Sequence, residues 1–150
     1  MEKLPQDFKE FLSLLQSHDV DYLLVGGFAV AFHGYPRFTG DIDVWVAISQ
    51  KNAEKLVNAL KDFGFDVAGL SPQLFLDANR MTRLGREPMK IEILNSVSGL
   101  EFTSAKARSV LADFDGLPVP VISLPDLRAN KLASGRPKDL ADLDNLPAGE

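Results

Sequence analysis

The sequence predicts a mixed α/β (α+β) domain: a small, partly antiparallel sheet flanked by helices. Three observations carry this expectation. Segments with apolar residues at helical spacing alternate with short apolar runs of strand length. Two carboxylates, Asp41 and Asp43, stand one residue apart in an otherwise apolar run, the pattern of a strand with one polar face. Two further apolar runs, 81–84 and 89–94, flank Gly85-Arg86-Glu87-Pro88 and read as a hairpin. A length of 150 residues supports one domain with a real core, spanning 1–150, and is short for two.

Phe8, Phe11, Leu12, Leu14 and Leu15 recur at helical spacing and predict an amphipathic helix over 6–17. Tyr22 to Val25 is an apolar run closed by Gly26-Gly27, which suits a buried strand entering a tight turn. Phe28 to His33 predicts a short helix stopped by Gly34 and Pro36. Asp41 to Ile48 is the carboxylate strand, with Ile42, Val44 and Val46 on its other face. Ser49 is the expected N-cap of the next helix, whose inner face carries Ala53, Leu56, Val57 and Leu60 and which Gly64 ends. After the hairpin, Val119 to Ile122 forms another short strand between prolines. Ser123 or Asp126 starts a helix, and a last one begins near Pro137, so the C-terminal end is helical over 124–146.

The composition, 45% hydrophobic and 25% charged, is that of an ordinary globular protein. With no cysteine there is neither a disulfide framework nor a thiolate metal site, and two histidines argue against a His-rich zinc centre. A net charge of −5 argues against broad attraction to nucleic acid. The N-terminal residues lack the layout of a signal peptide, and no apolar stretch is long enough to cross a bilayer. The expectation is a cytoplasmic protein with no membrane partner.

Asp41 and Asp43 are the sharpest chemical signal. Side by side on one face they repel, and burying either unpaired costs roughly 2 kcal/mol or more. A hard cation resolves the conflict, since Mg²⁺ takes one or two carboxylates plus substrate phosphates. Glu92, between Ile91 and Ile93, faces away from its apolar neighbours in a strand. If that strand lies beside the Asp41 strand, three carboxylates converge and suit two ions about 3.5–4 Å apart. Otherwise Glu92 is an exposed residue paired with Lys90. Gly26-Gly27, between strand and helix, lets backbone approach a phosphate closely.

Val25-Gly26-Gly27, thirteen residues, then Asp41-Ile42-Asp43-Val44 resembles the signature of the polymerase-β-like nucleotidyltransferase superfamily. Glu92 matches its third acidic residue, although Asp is more frequent there. Arg37-Phe-Thr39-Gly-Asp41-Ile-Asp43 and the tail from Ser123 to Leu143 resemble small prokaryotic members, the AbiEii-like toxins among them. The resemblance implies that fold and Mg²⁺-dependent transfer of a nucleoside monophosphate from an NTP to an acceptor: RNA such as tRNA, a protein, or a small molecule. It implies Asp41, Asp43 and Glu92 as catalytic metal ligands, Glu92 alternatively as the base. Gly26, Gly27, Arg37 and Thr39 would contact the nucleotide, Arg37 alternatively making a structural salt bridge.

Lys131 either reaches a phosphate from its helix, as the resemblance suggests, or lies on a solvated face beside Arg128. Arg136, Lys138 and Asp139 either ring the site or pair with one another. Arg80, Arg83, Arg86 and Lys90 either guide an acceptor or, the favoured reading, blunt an exposed hairpin edge. His33 reads as a polar helix cap, and Trp45, on the Asp41 face, either stacks on a base or, the favoured reading, packs in the core or at its rim. The leading expectation is an enzyme, possible partners being an antitoxin or a second copy. The alternative is a non-catalytic or weakly active nucleotide-binding module acting through a protein partner, such as the toxin half of a toxin–antitoxin pair.

Overall fold

The computed structural model describes residues 5–36, 40–66, 68–86 and 89–148. Six strands form one mixed sheet in the order β3-β4-β2-β1-β6-β5. These are β1 (Tyr22–Val25), β2 (Asp41–Val46), β3 (Met81–Arg86), β4 (Met89–Leu94), β5 (Val110–Phe114) and β6 (Leu117–Val121). The sequential pairs β1/β2, β3/β4 and β5/β6 are antiparallel, whereas β2/β4 and β1/β6 are parallel. The expected mixed, partly antiparallel sheet is therefore present.

The helices are α1 (Gln6–Ser17), α2 (Gly26–Phe32), α3 (Gln50–Phe63), α4 (Phe102–Ala107), α5 (Leu124–Ser134) and α6 (Pro137–Asn145). α1 buries Phe8, Phe11, Leu12 and Leu15, the i, i+3, i+4, i+7 stripe of an amphipathic helix. Its Phe11 ring lies 5.6 Å from Phe63 of α3, and its Phe8 ring 5.7 Å from Phe28 of α2. Ser49 caps α3 by accepting the Asn52 N–H at 3.0 Å, and Gly64 ends it at φ 112°. Ile42, Val44, Ile91 and Ile93 on one sheet face are buried and share a core cluster with Leu56 and Leu60 of α3. The opposite face carries the carboxylates.

Three details depart from the sequence reading. α2 begins at Gly26, two residues before the expected start. The stretch between β4 and β6, unassigned from sequence, holds α4 and β5. Its signal was Asp115-Gly116, whose φ angles of 54° and 89° make the two-residue turn joining β5 to β6. The third concerns Arg80 and Lys90: Arg80 lies before β3 against Asn95, while Lys90 faces Gly85 at the hairpin's other end. Among the described residues no helix is long and apolar enough to cross a membrane.

Candidate active site

Strand register builds the site. In the parallel β2/β4 pair, Asp41 lies opposite Lys90, Asp43 opposite Glu92 and Trp45 opposite Leu94. β3 sets Arg83 opposite Glu92 and Met81 opposite Leu94. Cross-strand partners share a face, so Arg83, Glu92 and Asp43 form one continuous charged row. Lys90 and Asp41 lie on one side of that row, with Nζ 3.9 Å from Oδ1. Met81, Leu94 and Trp45 lie on the other.

An open cleft of about 790 Å³ lies over this face. Gly26, Gly27, Asp41, Asp43 and Glu92 line its sheet side, and Asn130, Lys131, Ser134, Arg136 and Lys138 come from the α5–α6 side. The two sides come from distant parts of the chain. Ser123 starts α5 by accepting the Asp126 N–H at 3.3 Å, and Gly135, at φ 65°, turns the chain into α6. Asn130 donates to the Ser98 carbonyl at 3.0 Å, which ties α5 to the 96–98 segment of the rim.

Gly26 explains itself at the atomic level. Its φ is +71°, and a Cβ there would fall 1.9 Å from Asp43 Oδ2. No other residue fits beside that carboxylate. Asp43 in turn has a buried Oδ1 with no hydrogen-bond partner. Its pKa is pushed up to about 8, first by burial, then by the hydrogen bond and charge of Glu92 and by the charge of Asp41, with Lys138 opposing. Burial alone would raise Glu92 as well. Hydrogen bonds from Asp43 and Arg83, with the charges of Arg83 and Lys138, hold it below the usual carboxylate range instead. A proton on Asp43 is thus donated to ionised Glu92, the relief two adjacent carboxylates find without a cation.

The donors fit a hard cation in a limited way. An orphaned, buried oxygen on Asp43 beside Asp41 is the two-carboxylate corner that Mg²⁺ completes with substrate phosphates. Glu92 stands next to Asp43, but its Oε1 accepts from Arg83 Nε at 2.9 Å. Among the described residues no group of three His, Cys, Asp or Glu side chains is placed to hold an ion. A three-carboxylate set is therefore not assembled in this arrangement.

Other expected residues take different places. Arg37 and Thr39 lie outside the described residues. Lys131 lines the cleft, yet it is only 5% exposed and its Nζ lies 3.3 Å from Asp139 Oδ1 and 2.9 Å from Asp142 Oδ2. That is neither a free cation nor a solvated face. Asp139 also accepts from Arg136 Nε at 2.7 Å. Burial would raise the Asp139 pKa, and Arg136 with Lys131 more than reverses it. Arg128 turns away, donating to the Leu143 and Pro147 carbonyls at 3.2 and 3.1 Å.

Of the hairpin cations, Arg80 lies 3.9 Å from Asp77, off the charged row, and the Arg86 side chain is outside the described set. Arg83 reaches Glu92 and Lys90 reaches Asp41. Trp45 is 2% exposed, its ring edge-on to Phe102 at 5.2 Å, so it packs in the core. His33 caps α2, with Nε2 2.6 Å from the Ile122 carbonyl. Asp142 was missed from sequence as a partner of Lys131; its i, i+3 spacing from Asp139 on α6 was the available signal.

Comparison with known proteins bears on the family and the fold. Residues 2–146 match the family described as "nucleotidyltransferase of unknown function (DUF6036)", and the chain belongs to that family. No curated protein matches it in sequence. Among solved structures, a candidate nucleotidyltransferase from Thermotoga maritima aligns with TM-score 0.62 at 18% identity, over 91% of this chain and 88% of the other. Lincomycin-bound LnuA, a lincosamide antibiotic adenylyltransferase, aligns with TM-score 0.59 at 17% identity, over 97% of each chain. JHP933 from Helicobacter pylori gives TM-score 0.51 at 17% identity, over 92% and 62%. The fold is thus similar to that of known nucleotidyltransferases, consistent with the polymerase-β-like superfamily.

Proposed function

We infer that this member of a nucleotidyltransferase family moves a nucleoside monophosphate from an NTP to an acceptor hydroxyl, with Mg²⁺ held by Asp41 and Asp43. The observation that carries the reading is the buried, unpartnered Oδ1 of Asp43 beside Asp41, on a carboxylate whose other oxygen fills space that only a glycine at 26 leaves open. Magnesium would supply the positive charge that offsets the phosphate oxygens as the transition state forms. The acceptor oxygen attacks the α-phosphorus, the bond to the β-phosphate breaks, and pyrophosphate leaves with that electron pair. The acceptor's proton passes to Glu92, which is ionised and beside Asp43.

Arg136 and Lys138, on the cleft wall, attract the polyphosphate, and the backbone at Gly26-Gly27 approaches it closely. Arg37 and Thr39, preceding the metal strand, contribute further phosphate contacts. Lys131 acts from below: its ion pairs hold α6 so that Arg136 and Lys138 face the cleft.

The test offers each α-labelled NTP with Mg²⁺ to total RNA, to cell protein and to a panel of hydroxylated antibiotics, lincomycin included because LnuA binds it. Labelling of one class with pyrophosphate release is expected, and a toxin role follows if that class is tRNA or cell protein. Asp43→Asn should lower release by about a hundredfold or more. Equal release from the Asp41→Ala, Asp43→Ala double variant would overturn the assignment. The cap of Arg83 on Glu92 favours one second reading, a nucleotide-binding module working through a protein partner. That reading wins if Mg²⁺-NTP binds and no acceptor class is labelled.

A further inference from the structure

We propose that Arg83 is a positioning residue that takes a cation's place beside Glu92 in the free protein and releases Glu92 to the site when a polyphosphate binds. The inference rests on the nucleotidyltransferase reading above and adds to it the order in which the site is assembled. Arg83 belongs to the charged row by register, as the antiparallel partner of Glu92, which is itself the parallel partner of Asp43. Its Nε donates to Glu92 Oε1 at 2.9 Å. The two side chains differ sharply in exposure, 65% for Arg83 against 16% for Glu92. A carboxylate set well into the cleft is thus closed off by a guanidinium at its mouth.

In the free protein Arg83 offsets the negative charge of Glu92 from the side away from Asp43. Oε1 of Glu92 is then engaged by Arg83 and not by a shared ion, in keeping with the absence of a three-carboxylate group among the described residues. Such a closure opens easily, because an exposed ion pair is weakly held. A guanidinium binds phosphate as well as carboxylate, and bidentately. A polyphosphate drawn in by Arg136 and Lys138 gives Arg83 a new partner in the same cleft. Once Arg83 turns to it, Glu92 loses its hydrogen-bonded counter-ion beside Asp43, and a second cation becomes favourable there. Ion and nucleotide then enter together. Arg80, paired with Asp77 off this row, is the hairpin cation that has no such part.

The test measures two ligands on Arg83→Gln and Arg83→Lys, with folding checked by circular dichroism. Mn²⁺ alone and inorganic tripolyphosphate alone are titrated calorimetrically. Arg83→Gln should bind Mn²⁺ about tenfold tighter and tripolyphosphate about tenfold more weakly, and Arg83→Lys should lie between it and wild type on both scales. Opposite signs are the signature, since a merely structural arginine would weaken both ligands together. Mn²⁺ affinity that is unchanged or lower in Arg83→Gln overturns the proposal. The underlying reading fails separately, if Asp41→Ala with Asp43→Ala leaves Mn²⁺ binding of the otherwise wild-type chain intact.

Discussion

Gly26 and Asp43 form a lock in which each residue's identity depends on the other. The glycine's left-handed backbone is unfavourable for an L side chain by about 1–2 kcal/mol, and the overlap with Asp43 Oδ2 adds to that. Gly26→Ala is expected to lower the melting temperature by roughly 2–8 °C and to weaken Mn²⁺ binding, because the displaced carboxylate no longer stands beside Asp41. Calorimetry on one sample checks both, and a variant with intact Mn²⁺ binding would break the link. The raised pKa of Asp43 sets a pH dependence whose sign is definite. Folded Asp43 keeps its proton to about 8, whereas an unfolded aspartate releases it near 4. The folded state therefore binds more protons across that interval, and stability without metal falls as pH rises from about 4 to about 8. Mg²⁺ competes with this proton, so it should stabilise the protein more at pH 8.5 than at pH 6. Thermal melts with Mg²⁺ or EDTA at those two values decide it; equal metal effects would contradict the shift.

Between elements, the α5–α6 pair shows how an apparent ligand becomes a strut. Lys131 is buried against Asp139 and Asp142, and removing one partner of a buried ion pair costs about 3–5 kcal/mol. Lys131→Met should therefore lower thermal stability sharply, whereas Lys138→Met, from an exposed position, should leave it nearly unchanged and weaken tripolyphosphate binding. If Lys131→Met melted like wild type and lost only phosphate affinity, the strut assignment would be wrong. This is also where sequence reading reached its limit. Helix starts at Ser49, Ser123 and Pro137 were legible because caps and proline act within one turn of chain. Asp41 and Asp43 sharing a face was equally local. Which carboxylates meet Lys131 depends on the crossing of two helices, and no spacing within α5 carries that. The strand at 119–122 was read, yet its partner β5 was not, although Asp115-Gly116 marked the turn that joins them.

At the level of the whole molecule, the site exists because distant segments meet across the cleft. Glu92 reaches Asp43 only because β4 returns parallel to β2, a long-range pairing that alternation of apolar residues does not specify. Arg136 and Lys138 come from the far end of the chain, on the opposite wall. A nucleotide touching both walls joins the sheet to the α5–α6 pair, and because the unfolded chain has no such cleft, its binding energy adds to folding stability. At a hundred times the dissociation constant this linkage is worth about 2.7 kcal/mol, or roughly 5–10 °C for a domain of this size. Neither wall suffices alone: Mg²⁺ without nucleotide meets only the Asp41–Asp43 corner, and tripolyphosphate without Mg²⁺ meets those carboxylates as repelling charges. The joint shift with Mg²⁺ and an NTP should therefore exceed the sum of the separate shifts. Asp43→Asn should abolish that excess, and Lys138→Met should reduce it. Strictly additive shifts in wild type would mean that the two walls do not share one ligand.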